Sequence, residues 1–291
     1  MAMTVQRPLS LTALLTLGRV SNLPTVWTNV LTGVVLAGGA WNGGRTGIVL
    51  VAMSLFYVGG MYLNDYFDRG IDARERPGRP IPAGDVAAPL VATIGFGLLA
   101  AGVALLATTG LAAAICGLAL AALIVAYDLS HKGNPVAPVM MGGCRMLVYL
   151  GAAVATTGSI PEFVVIASLA LLAYIAGLTY AARQESLDRV GNLWPLAVLS
   201  APMIVALPAV AQGPLSAAIY IALIGWTTAA VYLLARRPAP GAVSRAVAAL
   251  IAGVSLVDAA LIASAGASAP ALLALAGFVA TVLLQRYISG T

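Results

Sequence analysis

MYLNDYFDRGIDARERPGRPIPAG, residues 61–84, closes a long apolar run and concentrates charge: Asp65, Asp68, Asp72 and Glu75 are interleaved with or followed by Arg69, Arg74, Arg76 and Arg79. If the helix carrying the apolar run continues through Asp72, offsets of 0, 3 and 7 residues place the three aspartates within an arc of about 60°. They then face one point, with Asn64 beside them. Carboxylates on one face repel each other unless something positive lies between them. Oxygen-only ligands point to Mg²⁺, which keeps much of its water and is completed by substrate phosphates. The arginines that follow suit phosphate oxygens. The stretch therefore reads as a magnesium and diphosphate site. Its plain alternative is a solvated loop whose charges pair among themselves. Against that, the aspartates head the stretch, they share a helix face, and they begin where a membrane segment ends, a place where ionisable groups are costly.

Composition supports a membrane setting. Hydrophobic residues make up 61% of the 291 positions and charged residues 9%, against roughly 25% in a soluble domain. One domain, residues 1–291, is expected. The net charge of +5 is spread over short loops and forms no groove-sized patch, so a nucleic-acid partner is not expected. Cys116 and Cys144 lie in apolar segments and give neither a disulfide framework nor a zinc spacing. Arg7 and Arg19 flank LSLTALLTLG, which is too short to span and lacks a cleavage pattern. Residues 1–21 are expected to form an interfacial helix.

Apolar runs long enough to cross the hydrocarbon, about 20 residues each, fall near 22–40, 46–66, 87–109, 111–128, 136–156, 161–182, 194–212, 214–234, 243–264 and 268–287. All ten should be helical, because lipid offers the backbone no other partner. With the N-terminus in the cytoplasm, thirteen of the fifteen basic residues lie inside, Arg45 lies outside and Arg145 lies within a span. The chemistry is thus expected on the cytoplasmic side, in a loop over 67–86 and a second over 183–193.

That second loop carries Arg183, Glu185 and Asp188. The two acids are three residues apart and can share a helix face. A two-metal site needs carboxylates from two directions; an ordinary helix terminus is the alternative. The fourth span ends in YDLSHKGNP, giving Tyr127, Asp128, His131 and Lys132. Lys132, the single lysine, is placed to meet a phosphate or to set topology, and His131 reads as solvated. Arg145 sits inside the fifth span and needs a partner there, either an acid of one cluster or the diphosphate. Asp258 lies too deep to join the metal and reads as a structural interhelical bond. Asn22, Thr25, Thr28 and Asn29 form a polar stripe that either lines a cavity or ties helices together. Tyr62, Tyr66, Tyr149, Tyr174 and Tyr180 are candidates to face an allylic cation, or ordinary interfacial aromatics.

With these residues in hand, the chain resembles the UbiA superfamily of intramembrane prenyltransferases. That family carries N-D-x-x-D-x-x-x-D at the end of its second span, here Asn64, Asp65, Asp68 and Asp72, followed by R-P-[LI]-x-x-G, here Arg79, Pro80, Ile81 and Gly84. This stretch is similar to chlorophyll synthase-type members. The opening RVSNLPTVWTNVLTG and the Cys144–Arg145 pair look more like the EboC-like bacterial branch. The second motif departs from the family's D-x-x-x-D, and ten spans exceed its usual nine. The resemblance implies an all-α polytopic bundle around a cytoplasm-facing cavity in a bacterial inner membrane, and Mg²⁺-dependent transfer of an isoprenyl group from its diphosphate to an acceptor. It implies Asn64, Asp65, Asp68, Asp72, Glu185 and Asp188 as metal ligands. Arg79, Lys132, Arg145, Arg183, Asn22 and Asn29 would then bind substrate, and Tyr127 would join Asn64, Asp65, Asp68 and Asp72 among the catalytic residues. A terpene cyclase using the same ionisation, a transporter and an inactive structural homologue are the alternatives. A CDP-alcohol phosphotransferase is disfavoured because its D-G-x-x-A-R signature is absent.

Overall fold

The computed structural model describes residues 11–183, 192–236, 241–288 and 290. Among these residues the structure is all-helical: α1 (Leu11–Leu17), α2 (Leu23–Leu36), α3 (Gly44–Glu75), α4 (Ala88–Ala107), α5 (Leu111–Ser130), α6 (Ala137–Thr157), α7 (Glu162–Ala182), α8 (Ala201–Val205), α9 (Pro214–Arg236), α10 (Ala242–Ser264) and α11 (Ser268–Leu284). Nine of the ten apolar runs contain a single α-helix, and eight segments are long and apolar enough to cross a membrane. Two runs are shorter than expected. α2 has 14 residues, because a 3-10 turn over Val20–Asn22 precedes it and Pro24 sets its first turn. α11 has 17. The run at 194–212 is not one regular helix. Pro195, Pro202 and Pro208 each remove a backbone donor, and the segment is a 3-10 stretch, then α8, then a second 3-10 stretch.

α3 is the longest element. Its 32 residues rise about 48 Å at 1.5 Å per residue, well beyond a hydrocarbon core of about 30 Å. Helix runs on past the apolar run through Glu75, as the shared face of the aspartates requires, and the chain is non-helical from Arg76 to Ala87. Asn64, Asp65, Asp68 and Asp72 are all buried on one side of this helix.

Two packed clusters make up the interior. The first gathers α2 to α6 around Met53, Phe56, Leu63 and Leu106; the second gathers α7 to α11 around Leu171, Tyr174, Leu223 and Leu250. α10, buried along nearly its whole length, is the axis of the second. Close approach depends on small residues. A Cβ built on Gly33 of α2 would stand 2.5 Å from the Tyr149 carbonyl oxygen of α6, and one on Gly142 of α6 would stand 2.5 Å from the Leu172 carbonyl oxygen of α7. Outward faces are apolar, as at Leu111, Ile115 and Leu118 of α5.

Candidate functional site

The helix ends that carry polar residues meet at one end of the bundle. A cavity of about 300 Å³ lies there, lined from α3 by Asn64, Asp68, Asp72 and Glu75 and from elsewhere by Arg19, Arg79, Tyr127, Lys132 and Arg183. Its opposite wall is apolar: Ile175 and Leu178 of α7, and Val247, Ile251 and Val254 of α10. Residues as distant in sequence as Arg19 and Val254 thus share one chamber that is charged on one side and oily on the other.

Each aspartate of α3 is paired with a base. Asp65 Oδ1 accepts from Arg19 Nη2 at 3.1 Å and from Arg79 Nη1 at 3.0 Å; the same Arg79 atom reaches Asp72 Oδ2 at 3.0 Å. Asp68 Oδ2 lies 3.4 Å from His131 Nε2 and 3.5 Å from Lys132 Nζ. Arg79 can fold back because the chain turns just after it. The backbone N–H groups of Ala83 and Asp85 close onto the Arg79 and Pro80 carbonyls at 2.9 Å, and Gly84 takes φ +78°, a conformation glycine adopts freely. This is the local work of the R-P-I-x-x-G stretch. Among the described residues no three His, Cys, Asp or Glu side chains stand close enough to hold a metal ion as they are. The three carboxylates share a buried face of α3, and each is held there by a cationic or imidazole partner.

Sequence reasoning missed four members of the site. Arg19 was read as an interfacial charge; instead it bonds Asn64 Oδ1 and Asp65 Oδ1, both at 3.1 Å. It does so from φ 41°, ψ 46°, the single left-handed non-glycine backbone among the described residues, and such strain gathers at functional sites. Tyr57, whose hydroxyl donates to the Arg19 carbonyl at 3.1 Å, lines the cavity with Tyr127. His131, expected to be solvated, is stacked on Tyr127 at 4.9 Å between centroids and faces Asp68. Asp128 is buried and accepts from Asn64 Nδ2 at 3.1 Å. A helix that is apolar on every side gives no period from which its rotation could be read, so none of these orientations was available from the sequence.

Other expectations divide. Tyr127, Lys132, Arg183 and Asn22 do line the cavity. Asn22 also bonds the Gly290 carbonyl and accepts from Gln285, each at 2.9 Å, which ties the start of α2 to the chain beyond α11. Arg145 lines the cavity, but its donors go to Asn29 Oδ1 at 2.8 Å and Thr25 Oγ1 at 3.1 Å rather than to an acid cluster. Asn29 faces away, donating to Asp258 Oδ2 at 2.8 Å. Asp258 is the interhelical tie expected of it, also receiving Thr28, Thr32 and Tyr149 hydroxyls. Tyr62, Tyr66, Tyr149, Tyr174 and Tyr180 are not among the cavity's lining residues; the aromatic faces there are Tyr57 and Tyr127. Glu185 and Asp188 lie outside the described residues.

Comparison with known proteins gives this arrangement a family. The model of the UbiA prenyltransferase family matches residues 26–240. Three digeranylgeranylglyceryl phosphate synthases are similar in sequence. That of Natronomonas pharaonis is 36% identical over 50% of this chain and 52% of its own length. That of Methanopyrus kandleri is 32% identical over 57% and 60%, and that of Halobacterium salinarum 38% identical over 50% and 52%. The chain thus spans about half the length of the curated relatives it matches. These relatives are archaeal and carry neither of the two branch names suggested by the motifs. Two solved structures share the fold: one of a digeranylgeranylglyceryl phosphate synthase, with TM-score 0.63 and 22% identity over 89% of this chain and 98% of its own, and the apo UbiA homologue from Aeropyrum pernix K1, with TM-score 0.63 and 18% identity over 84% and 96%. The chain belongs to the UbiA prenyltransferase family.

Proposed function

We propose that this protein transfers a prenyl group from a prenyl diphosphate to an acceptor within the membrane, with Mg²⁺ as cofactor. One observation carries the reading: a single cavity of about 300 Å³ sets the acids of α3 and the cations Arg79, Lys132 and Arg183 against an apolar wall from α7 and α10. A diphosphate needs the first wall, and a hydrocarbon tail needs the second. The donor set suits a hard divalent ion, since Asn64, Asp68 and Asp72 offer only oxygen ligands on one cavity wall. Asp65 and, from the second loop, Glu185 and Asp188 would complete the ligand set. Bound Mg²⁺ would supply charge neutralisation that makes diphosphate a good leaving group.

The chain's own residues would do the rest. Arg79 and Lys132, now paired with Asp65, Asp72 and Asp68, would turn to the phosphate oxygens as charge develops there, an electrostatic role of the kind that dominates many enzymes. Arg19 would hold Asn64 and Asp65 in place. Tyr57 and Tyr127 would present π-faces to the cation-like allylic carbon, and the apolar wall would exclude water that would quench it. The bias of arginine and lysine toward this end of the bundle supports a cytoplasmic opening, and a bacterial inner membrane is the proposed location. The whole chain would act as one domain.

Geranylgeranyl diphosphate is the first donor to test, given the names of the relatives. Full-length protein in nanodiscs, supplied with extracted membrane lipid as the source of acceptor, should release inorganic diphosphate from it only when Mg²⁺ is present. Absence of release with any prenyl diphosphate of 10 to about 40 carbons would end the proposal. A cyclic hydrocarbon formed without added acceptor would redirect it to a cyclase.

A further inference from the structure

His131 is the single histidine of the chain, and its ring is fixed by three contacts. It stacks on Tyr127, with centroids 4.9 Å apart and planes 15° from parallel. Nδ1 lies 3.2 Å from the Tyr127 carbonyl oxygen. Nε2 lies 3.4 Å from Asp68 Oδ2, and the two side chains are only 12% and 8% exposed.

A carbonyl oxygen can only accept, so Nδ1 carries the hydrogen of that bond. In a neutral imidazole the other nitrogen is then an acceptor. It is aimed at a carboxylate, which when ionised also only accepts. Two lone pairs facing each other need something positive between them. A proton can fill the place, giving an ordinary imidazolium–carboxylate pair, and so can a metal ion. The surroundings of the ring are those of a metal ligand: a histidine that binds metal through one nitrogen regularly donates its other N–H to a group such as a backbone carbonyl, which fixes tautomer and ring plane. The spacing agrees. Two ligands about 2.1 Å from one ion stand roughly 3.0 Å apart in an octahedral shell and roughly 3.4 Å apart in a tetrahedral one, against 3.4 Å here. Lys132 Nζ, 3.5 Å from the same carboxylate oxygen, belongs to a half-exposed side chain that can swing toward phosphate oxygens. Two protein ligands suffice where substrate phosphates and water supply the rest.

We propose that His131 Nε2 and Asp68 Oδ2 together seat one of the diphosphate-bound metal ions, and that the imidazole tilts this position toward first-row transition ions such as Mn²⁺ and Co²⁺ over Mg²⁺. The inference rests on the transferase reading for the diphosphate, to which it adds a ligand from the end of α5 and a metal preference. Carboxylate, carbonyl and water oxygens suit Mg²⁺, whereas a nitrogen ligand favours the transition series, with affinity climbing from Mn²⁺ to Co²⁺. Asn64 and Asp72 offer oxygen alone, and Mg²⁺ keeps that side of the site.

The test reads the metal's ligands directly. Mn²⁺ and inorganic diphosphate are added to full-length protein in nanodiscs, free of any histidine tag, and pulsed EPR records the nuclei around the ion. With one histidine in the chain, the nitrogen modulation of a coordinated imidazole has a single source. Wild type should show it and His131→Gln should lack it. Competition gives a second readout: the ratio of Mg²⁺ to Co²⁺ needed to displace Mn²⁺ should be about tenfold or more higher in wild type than in His131→Gln, the scale on which metal affinity responds to the groups around a site. Wild type that binds Mn²⁺ without imidazole modulation overturns the proposal, whether or not the variant folds. So does wild type that fails to bind Mn²⁺ in the presence of diphosphate, or a displacement ratio unchanged in His131→Gln. Any of these results with Mg²⁺-dependent diphosphate release intact strikes the His131 assignment alone. Failure of wild type to release diphosphate from any prenyl donor strikes the transferase reading instead.

Discussion

Two groups of buried acid sit in this protein, and they are buried for opposite reasons. Asp258 is fully buried and receives four donors, from Thr28, Asn29, Thr32 and Tyr149, which saturate its oxygens. Asp65, Asp68 and Asp72 are nearly as buried, yet their partners are side chains of Arg19, Arg79, His131 and Lys132 around a cavity. Neutral donors fixed on neighbouring helices make a permanent tie. Cations on long side chains make a pairing that a ligand can exchange. Burial alone does not mark a functional acid in a membrane protein; the identity of what satisfies it does.

The sharpest way to break this contrast is Asp68→Ala. Diphosphate release should fall about 10²- to 10³-fold, the usual scale for losing one electrostatic stabiliser at a reacting centre, with little change in melting temperature. A variant as active as wild type would remove the α3 cluster from the chemistry. Asp258→Ala should do the reverse. Four interhelical bonds averaging about 0.6 kcal/mol each in membranes put its cost near 2 kcal/mol of stability, measurable by unfolding in mixed micelles. If stability holds and activity collapses, the network is not merely structural.

Combining the clusters sharpens the comparison further. Asp68→Asn and Asp258→Asn should be additive in stability within about 0.5 kcal/mol, whereas Asp258→Asn and Asn29→Ala, which share a bond, should show coupling of about 0.5 kcal/mol or more. The smallest effect concerns Arg19. Both Arg19→Ala and Arg19→Gly lose the bonds to Asn64 and Asp65, so both should lose activity. The glycine variant should be about 1 kcal/mol more stable than the alanine variant, because only alanine retains the left-handed backbone penalty. Equal stabilities would mean that the φ of 41° is not strained in the folded protein.

The contrast also explains which parts were legible in the sequence. The aspartates of α3 were, because their spacing fixes a shared face once the helix is granted, and hydropathy grants the helix. Asp258 was, because an acid in mid-span has few places to go. Arg19 was not: its role depends on a backbone conformation and on residues 45 and 46 positions later, neither of which leaves a local pattern. The tyrosines could not be sorted for a related reason, since Tyr62 and Tyr57 lie on the same apolar helix and only packing against its neighbours decides which one turns toward the cavity. Helix lengths failed where proline intervened, at Pro24 and at Pro195, Pro202 and Pro208, although those prolines were in plain view.

The length of α3 has a consequence for the lipid around it. Because the aspartates ride on the same unbroken helix that crosses the hydrocarbon, their height above the acyl chains is set by how that helix seats itself. A thicker bilayer draws such a helix upright and a thinner one tilts it. Acyl-chain length thus becomes a control on how deeply the charged chamber sits relative to the headgroups from which an amphipathic substrate must enter.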